Sequence, residues 1–254
     1  MASPSIFNGK VIAITGASGT MGRALTQELA RHGAKIVALT SSPQAHCPDA
    51  SEIIQWTIGQ EDELRDRFHS IDILILNHGV NVYGDRTPAA IQKSLDVNAL
   101  SHWTLAELFF STITDAETHG SSARDYRAST KELWVNTSEA EVSPALSPLY
   151  ELSKRLIGHL ITLRQLDAPC PIRKIILGPF KSELNPYGVM SPTFVAKAIA
   201  FLAAQKLQTI IVTVNPLTYL LFPLKEWSHR LYYQIFSHPL SPTPGDDLSR
   251  KRFR

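Results

Sequence analysis

Tyr150 and Lys154 lie four residues apart, a spacing that on a helix puts a phenol and an ammonium on one face, about one turn from each other. Ser138 stands twelve residues before the tyrosine, just after the apolar run Leu133 to Val135. A hydroxyl delivered by a strand end against that helix face completes a set suited to proton exchange with a substrate oxygen. Ser143, seven residues before Tyr150, is the weaker alternative for that hydroxyl. Such a pair also occurs on ordinary helix surfaces. Its chemical reading therefore depends on whether the rest of the chain can hold a hydride carrier.

The elements that must position these groups alternate regularly. Lys10 to Ile14 is an apolar run ending in Thr15-Gly16, which predicts a buried strand feeding a glycine turn. Helical spacing follows over Arg23 to His32, with Gly33 as a C-terminal cap, and Ala34 to Leu39 predicts a second strand. Ile53 to Ile58 predicts a third strand, Glu61 to His69 a charged helix, and Ile71 to Leu76 a fourth strand. Pro88 to Phe110 reads as one long helix or two abutting ones, and the polar stretch Thr112 to Lys131, centred on Gly120-Ser121-Ser122, as a surface insertion. Leu133 to Val135 predicts the fifth strand, Pro148 to Leu166 a helix, and Ile172 to Leu177 the sixth strand. Ser191 to Ala204 predicts a helix and Thr209 to Val214 the seventh strand. Alternation of this kind implies an α/β fold: a Rossmann-type doubly wound parallel sheet of about seven strands with helices on both faces. Ligands of such sheets lie beyond the carboxyl ends of the strands, where Thr15-Gly16, Thr40-Ser41, Asn77 to Gly79, Ser138 and Gly178-Pro179 all fall.

Gly16, Gly19 and Gly22 recur every third residue between a strand and a helix, the context in which a glycine-rich turn seats a pyrophosphate at a helix N-terminus. No Gly-Lys-Ser/Thr follows, which excludes a P-loop. The second strand ends in Leu39-Thr40-Ser41-Ser42, with hydroxyls where NAD-preferring sites carry a carboxylate for the ribose. That favours NADP, with NAD the weaker expectation.

Composition narrows the class without naming a partner. The 254 residues carry a net charge of +2, with the basic residues scattered, so no nucleic-acid surface is indicated. Cys47 and Cys170 form no disulfide framework and no metal-ligand spacing, so no metal site is expected and a reducing compartment is. Met1 to Phe7 lacks a secretory signal, and no apolar run reaches the roughly 18 residues of a membrane span. The expectation is a cytoplasmic chain. The segment Pro216 to Phe236 combines an apolar run with an aromatic-rich amphipathic stretch, readable as a lid over the pocket or as a membrane- or partner-contacting helix. The basic end Arg250 to Arg254 is either a solvated terminus or a contact for anionic lipid.

Together these residues resemble the short-chain dehydrogenase/reductase family, from Lys10 to about Val214. The glycine motif is Thr15-Gly16-Ala17-Ser18-Gly19-Thr20-Met21-Gly22, and the element after the fourth strand is Asn77-His78-Gly79. The helix asparagine is Asn98, the Tyr-x-x-x-Lys motif is Tyr150 to Lys154, and the nicotinamide-side segment appears in inverted order as Gly178-Pro179-Phe180 with Ser182 following. A narrower similarity, over Val135 to Glu141, Ser147 to Lys154 and Leu177 to Ser182, is to the dehydrogenase half of cyanobacterial bifunctional sterol desaturase/short-chain dehydrogenase proteins.

The resemblance implies one dinucleotide-binding oxidoreductase domain over residues 1–254, with 215–254 as a C-terminal extension. It implies hydride transfer between a nicotinamide and a carbonyl/alcohol pair, here of an apolar or lipid-like substrate. In that scheme Tyr150 is the acid or base, helped by Lys154, Ser138 polarises the substrate oxygen, and Asn98 holds a relay water. The coenzyme would meet Gly16, Ser18, Gly19, Thr20, Met21, Gly22, Thr40, Ser41, Asn77, Gly79, Tyr150, Lys154, Pro179 and Ser182. A homo-oligomer is expected, joined through the helices from Pro88 and Pro148. Three departures temper the match. The glycine spacing is that of the family's extended branch, which includes epimerases and dehydratases, yet only 75 residues follow Pro179, which speaks against that branch. The aspartate that commonly meets adenine is absent near Trp56 to Ile58, and Ser138 sits one place off the usual spacing. A coenzyme-binding scaffold or redox sensor that has lost catalysis is the alternative.

Overall fold

The computed structural model describes residues 5–118 and 131–238. Seven parallel strands form one sheet in the order β3-β2-β1-β4-β5-β6-β7. They are β1 (Val11–Thr15), β2 (Lys35–Thr40), β3 (Glu52–Gln55), β4 (Ile73–Leu76), β5 (Glu132–Ser138), β6 (Ile172–Leu177) and β7 (Thr209–Val212). Successive side chains of the inner strands enter opposite cores. Ile12, Ile14, Ile36, Ile73, Ile75, Trp134 and Ile175 join the cluster under α1 (Thr20–Arg31) and α6 (Pro192–Ala204). Ala13, Val37, Leu74, Leu76, Leu133 and Val135 join the cluster beneath α4 (Ser101–Thr118) and α5 (Pro148–Arg164). Burial on both faces explains why these strands read as unbroken apolar runs.

Local differences from the sequence expectation have identifiable causes. The helix expected over Glu61 to His69 is a 3-10 turn, Glu61–Leu64, followed by the single turn α2 (Arg65–Phe68), and only Leu64 and Phe68 of it reach the core. The span from Pro88 to Phe110 is two helices, α3 (Pro88–Leu95) and α4, joined by a π-helical turn at Asp96–Leu100. The polar stretch expected to begin an insertion at Thr112 instead continues α4 as far as Thr118. Thr112 is buried, its hydroxyl satisfied by the Phe109 carbonyl at 2.7 Å. The remainder of that stretch, with Gly120-Ser121-Ser122, and the basic end Arg250 to Arg254 lie outside the described residues.

β5 runs through Asn136, Thr137 and Ser138, beyond the apolar part that signalled it. These polar residues stay in the ladder because β6 pairs with them, Ser138 opposite Leu177.

The last helix, α7 (Pro216–Phe236), packs against α5 and the turn after β5. Thr218 and Phe222 are its buried residues, and Lys225, Glu226, His229 and Tyr233 lie on the same inward side. Leu217, Leu220, Leu224, Trp227, Leu231 and Ile235 recur at three- and four-residue steps on the outward side, all exposed. The helix is thus inverted relative to a usual surface helix, with charges inward and an apolar stripe outward. No helix among the described residues is long and apolar enough to cross a membrane.

Candidate functional site

All seven strands end on the same edge of the sheet, and the strand order reverses between β1 and β4, the crevice where doubly wound sheets hold ligands. Gly16 takes φ +62°, and a Cβ there would stand 2.8 Å from the His78 Cα, so the first turn and the loop after β4 meet backbone to backbone. A Cβ at Gly22 would stand 2.2 Å from the Gly16 carbonyl oxygen and 2.6 Å from the Ala17 Cα. Gly19 is the N-cap of α1 with no side-chain cap, which leaves the first-turn N–H groups of Thr20, Met21 and Gly22 to an external acceptor. This is a cradle shaped for a phosphate.

The hydroxyls at the end of β2 divide their work. Thr40 is buried, bonded to the Ser18 hydroxyl at 2.8 Å and accepting from the Ser42 N–H at 3.1 Å. It fixes the turn and is not presented outward, whereas Ser41 is exposed. Arg23, which the sequence reading passed over, donates from its guanidinium to the Ser18 carbonyl. It brings a cation to the same end of the cradle.

At the other end Ser138, Tyr150 and Lys154 come together. Ser138 closes β5 and its Oγ accepts from the Ala140 N–H at 3.2 Å. Its side chain lies close enough to the Tyr150 phenol to oppose the effect of burial on it. The Lys154 Nζ donates to the Asn136 carbonyl at 3.3 Å and stands 5.8 Å from the Tyr150 ring centre. Burial holds the Tyr150 phenol above its ordinary value, with Ser138 pulling it back. Burial lowers Lys154 to about 8, opposed by the charge of Glu141. In this geometry the ammonium is turned to a backbone carbonyl.

Asn98 lies in the π-helical turn, fully buried. Its Oδ1 accepts from the Val80 N–H at 2.8 Å, and its Nδ2 donates to the Val80 carbonyl at 2.9 Å and the Ser153 hydroxyl at 3.0 Å. The side chain thus clamps the loop after β4 and ties it to α5, one residue before Lys154. Asn77 lies on that loop, its N–H donating to the Thr15 hydroxyl at 2.8 Å and its Oδ1 accepting from the Asn136 amide at 2.8 Å. A Cβ on Gly79 would stand 3.2 Å from the Asn98 Oδ1.

Two buried histidines support the crevice. His78 joins Thr15 through Nδ1 at 2.8 Å and Ser101 through Nε2 at 2.7 Å. Burial, with Lys154 nearby, lowers it to about 3, so it is neutral. His102 meets the His78 carbonyl through Nε2 at 2.8 Å, which makes that nitrogen the protonated one. Both are structural partners of the crevice floor.

Pro179 and Ser182 lie on the segment after β6, which folds back on itself. The Pro179 carbonyl accepts from the N–H groups of Val189 at 2.9 Å and Met190 at 3.2 Å, and the Ser182 Oγ accepts from the Asn185 N–H at 3.1 Å. The segment touches the loop after β4, where the Tyr83 hydroxyl donates to the Glu183 carbonyl at 3.4 Å. Leu146, Tyr187 and Val189 stand at this rim with 96%, 92% and 69% of their surface exposed. The residues that sequence reasoning missed are Arg23, Asn136, Glu141 and Gly158. Each acquires its role only through tertiary contact, and no spacing signalled them. Among the described residues no group of three or more His, Cys, Asp or Glu could hold a metal ion.

Comparison with known proteins agrees with this architecture. The chain is 49% identical over 235 residues, 90% of its length, to the monoglucosyldiacylglycerol epimerase of Synechocystis sp., and it spans 55% of that protein. A shorter match of 92 residues at 32% identity, covering 29% of this chain and 35% of the relative, is to the 15-hydroxyprostaglandin dehydrogenase [NAD(+)] of Rattus norvegicus. The chain thus spans about half, or less, of these curated relatives. Among solved structures, a short chain dehydrogenase from Burkholderia cenocepacia in complex with NADP superposes with a TM-score of 0.68 at 16% identity, over 92% of this chain and 99% of that one. One from Leptospira borgpetersenii with bound NAD+ gives 0.66 at 19% identity, over 81% and 92%. These two share the fold. Residues 12–212 match the NAD dependent epimerase/dehydratase family, and the chain belongs to it.

Proposed function

We propose that the chain performs hydride-transfer epimerisation at a hydroxyl-bearing carbon of a glycolipid, with NADP preferred over NAD. One observation carries the reading: the half-buried Tyr150, with its ring 5.8 Å from the buried Lys154 ammonium and the buried Ser138 hydroxyl beside it, stands at the sheet edge that also carries the phosphate cradle. The epimerase family match and the glycolipid epimerase relative support it. They also outweigh the argument from chain length against the extended branch.

The cradle fits a dinucleotide because the uncapped start of α1 faces a turn in which Gly22 leaves no room for a Cβ. A nicotinamide coenzyme seated there supplies the hydride acceptor and donor. Tyr150 takes the substrate hydroxyl proton during oxidation to the carbonyl and returns it on reduction from the opposite face. Ser138 orients the substrate oxygen throughout. Lys154 contributes a positive charge near the phenol and a donor for the coenzyme ribose. Asn98 keeps the loop after β4 in place, its amide being fully engaged by protein partners.

Conversion of a glycosyl diacylglycerol to its epimer, followed by chromatography of the sugar, tests the reading. Tyr150→Phe should lower kcat by about 10²–10⁴-fold, and a variant as active as the wild type would refute it. The NADP preference rests on Ser41 and Ser42 at a strand end that carries no carboxylate and on the Arg23 guanidinium, with Thr40 shaping the turn. Fluorescence titration should show NADPH binding roughly tenfold tighter than NADH, a margin of about 1.4 kcal/mol, and Arg23→Ala should remove most of it. Equal affinities in the wild type would sink the preference.

The apolar stripe of α7 and the rim residues Leu146, Tyr187 and Val189 suit contact with the bilayer that holds such a substrate. A homo-oligomer would use the exposed Ile91, Leu152 and Leu156 of α3 and α5, and sedimentation of the pure chain as a monomer would exclude it. Co-sedimentation with anionic liposomes should fall sharply when Leu220→Gln, Trp227→Gln and Leu231→Gln are combined. These side chains are exposed, so the fold should persist, and equal recovery of both proteins would remove the membrane contact from the account.

A further inference from the structure

The turn that follows Ser138 carries a carboxylate for which the mechanism above has no use. Glu141, at the end of the 3-10 turn Glu139–Glu141, has a side chain that is 0% exposed. Its carboxylate occupies the space over Gly158, where a Cβ would stand 2.1 Å from Oε2 and 2.7 Å from Oε1. Gly158 is one turn beyond Lys154 on α5, about 6 Å along the axis. A buried carboxylate therefore packs against α5 one helical turn beyond the residue that carries the buried ammonium.

We propose that Glu141 is a positioning residue for this centre, holding Lys154 in its charged form and tying the Ser138 turn to α7. Lys154 is faced by Tyr150 on its own helix, by the neutral His78 and His102, by the Asn136 carbonyl and by Glu141. Of these only Glu141 carries a negative charge. Its Oε2 is shared by Lys174 at 3.4 Å and Lys225 at 2.5 Å, while its Oε1 has no hydrogen-bond partner. Lys174 is completed by Glu226 at 2.7 Å and the Gly158 carbonyl at 3.1 Å. Two carboxylates and two ammoniums thus balance beneath α7, with His159 alongside, lowered to about 4 by burial and the adjoining cations. The Lys154 charge lies just outside this balance, where the Glu141 field opposes the effect of burial on it.

The role of Lys154 rests on the reading given above, but the test needs neither coenzyme nor substrate. Lysine labelled with carbon-13 at the ε position reports its own protonation by NMR, and Lys154→Met identifies the resonance. In the wild type its midpoint should lie at about 8. Glu141→Gln removes the anion and should move the midpoint down, on the order of one pH unit. Lys225→Met removes a cation from the same carboxylate and should move it up. A purely structural anchor would lower the thermal stability of both variants and shift the two midpoints alike or leave them in place. An unchanged or raised midpoint in Glu141→Gln, or a lowered one in Lys225→Met, overturns the proposal. Should Glu141→Gln not fold, Lys225→Met decides alone. Failure of the nicotinamide reading would appear separately, as absence of NADPH and NADH binding by the wild type.

Discussion

Burying the Lys154 ammonium is the step around which the site is arranged. Removing such a charge from water costs on the order of several kcal/mol unless partners are supplied, and here they are few: the Asn136 carbonyl at 3.3 Å and the field of Glu141. Much else follows from keeping that pocket dry and fixed. Asn98 clamps Val80 and reaches Ser153, the residue before the lysine. The two histidines are held neutral beside it, so they add no competing charge. Tyr150 lies over the same pocket, and burial keeps its phenol protonated. A positive charge arriving with an oxidised nicotinamide would lower it, and in the proposed reaction would couple proton transfer to the presence of the hydride carrier.

The sheet was largely legible in the sequence because its strands are buried on both faces. β6 occupies Ile172–Leu177 as expected, since its apolar run is bounded by Pro171 and Gly178. β5 was only half visible, because Asn136, Thr137 and Ser138 look like loop residues until β6 is laid beside them. β3 ends at Gln55, earlier than its apolar run, because Trp56 turns inward to pack against His78.

Tyr150, Lys154 and the glycines could be read from spacing, and Asn98 from the family resemblance, and the structure brings them to one edge. Arg23, Asn136, Glu141 and Gly158 could not. A charge such as Lys174, fully buried in an apolar strand, has partners drawn from α5, α7 and the turn after β5. No local pattern encodes a set gathered from three elements. The hydroxyls of β2 show the converse, a pattern that was visible while its roles were not. Thr40, expected to meet the coenzyme, has its hydroxyl hydrogen-bonded to Ser18 and to the Ser42 N–H.

The inverted helix α7 joins the chemistry to its setting. Its inward side holds the turn after Ser138, Thr218 donating to Glu139 and Lys225 to Glu141, while Thr213, ahead of the helix, also donates to Glu139. Its outward face is apolar and continuous. A lipid-borne sugar approaching from a bilayer would meet the apolar rim first and the proton donor behind it. The central claim is that inversion proceeds by hydride removal and return, and the isotope at the inverted carbon reports this directly. Conversion of a glycosyl diacylglycerol in heavy water, with NADP(H) present, should give an epimer that carries protium at that carbon by mass spectrometry. Deuterium there would show solvent exchange through a deprotonated carbon and would contradict the account.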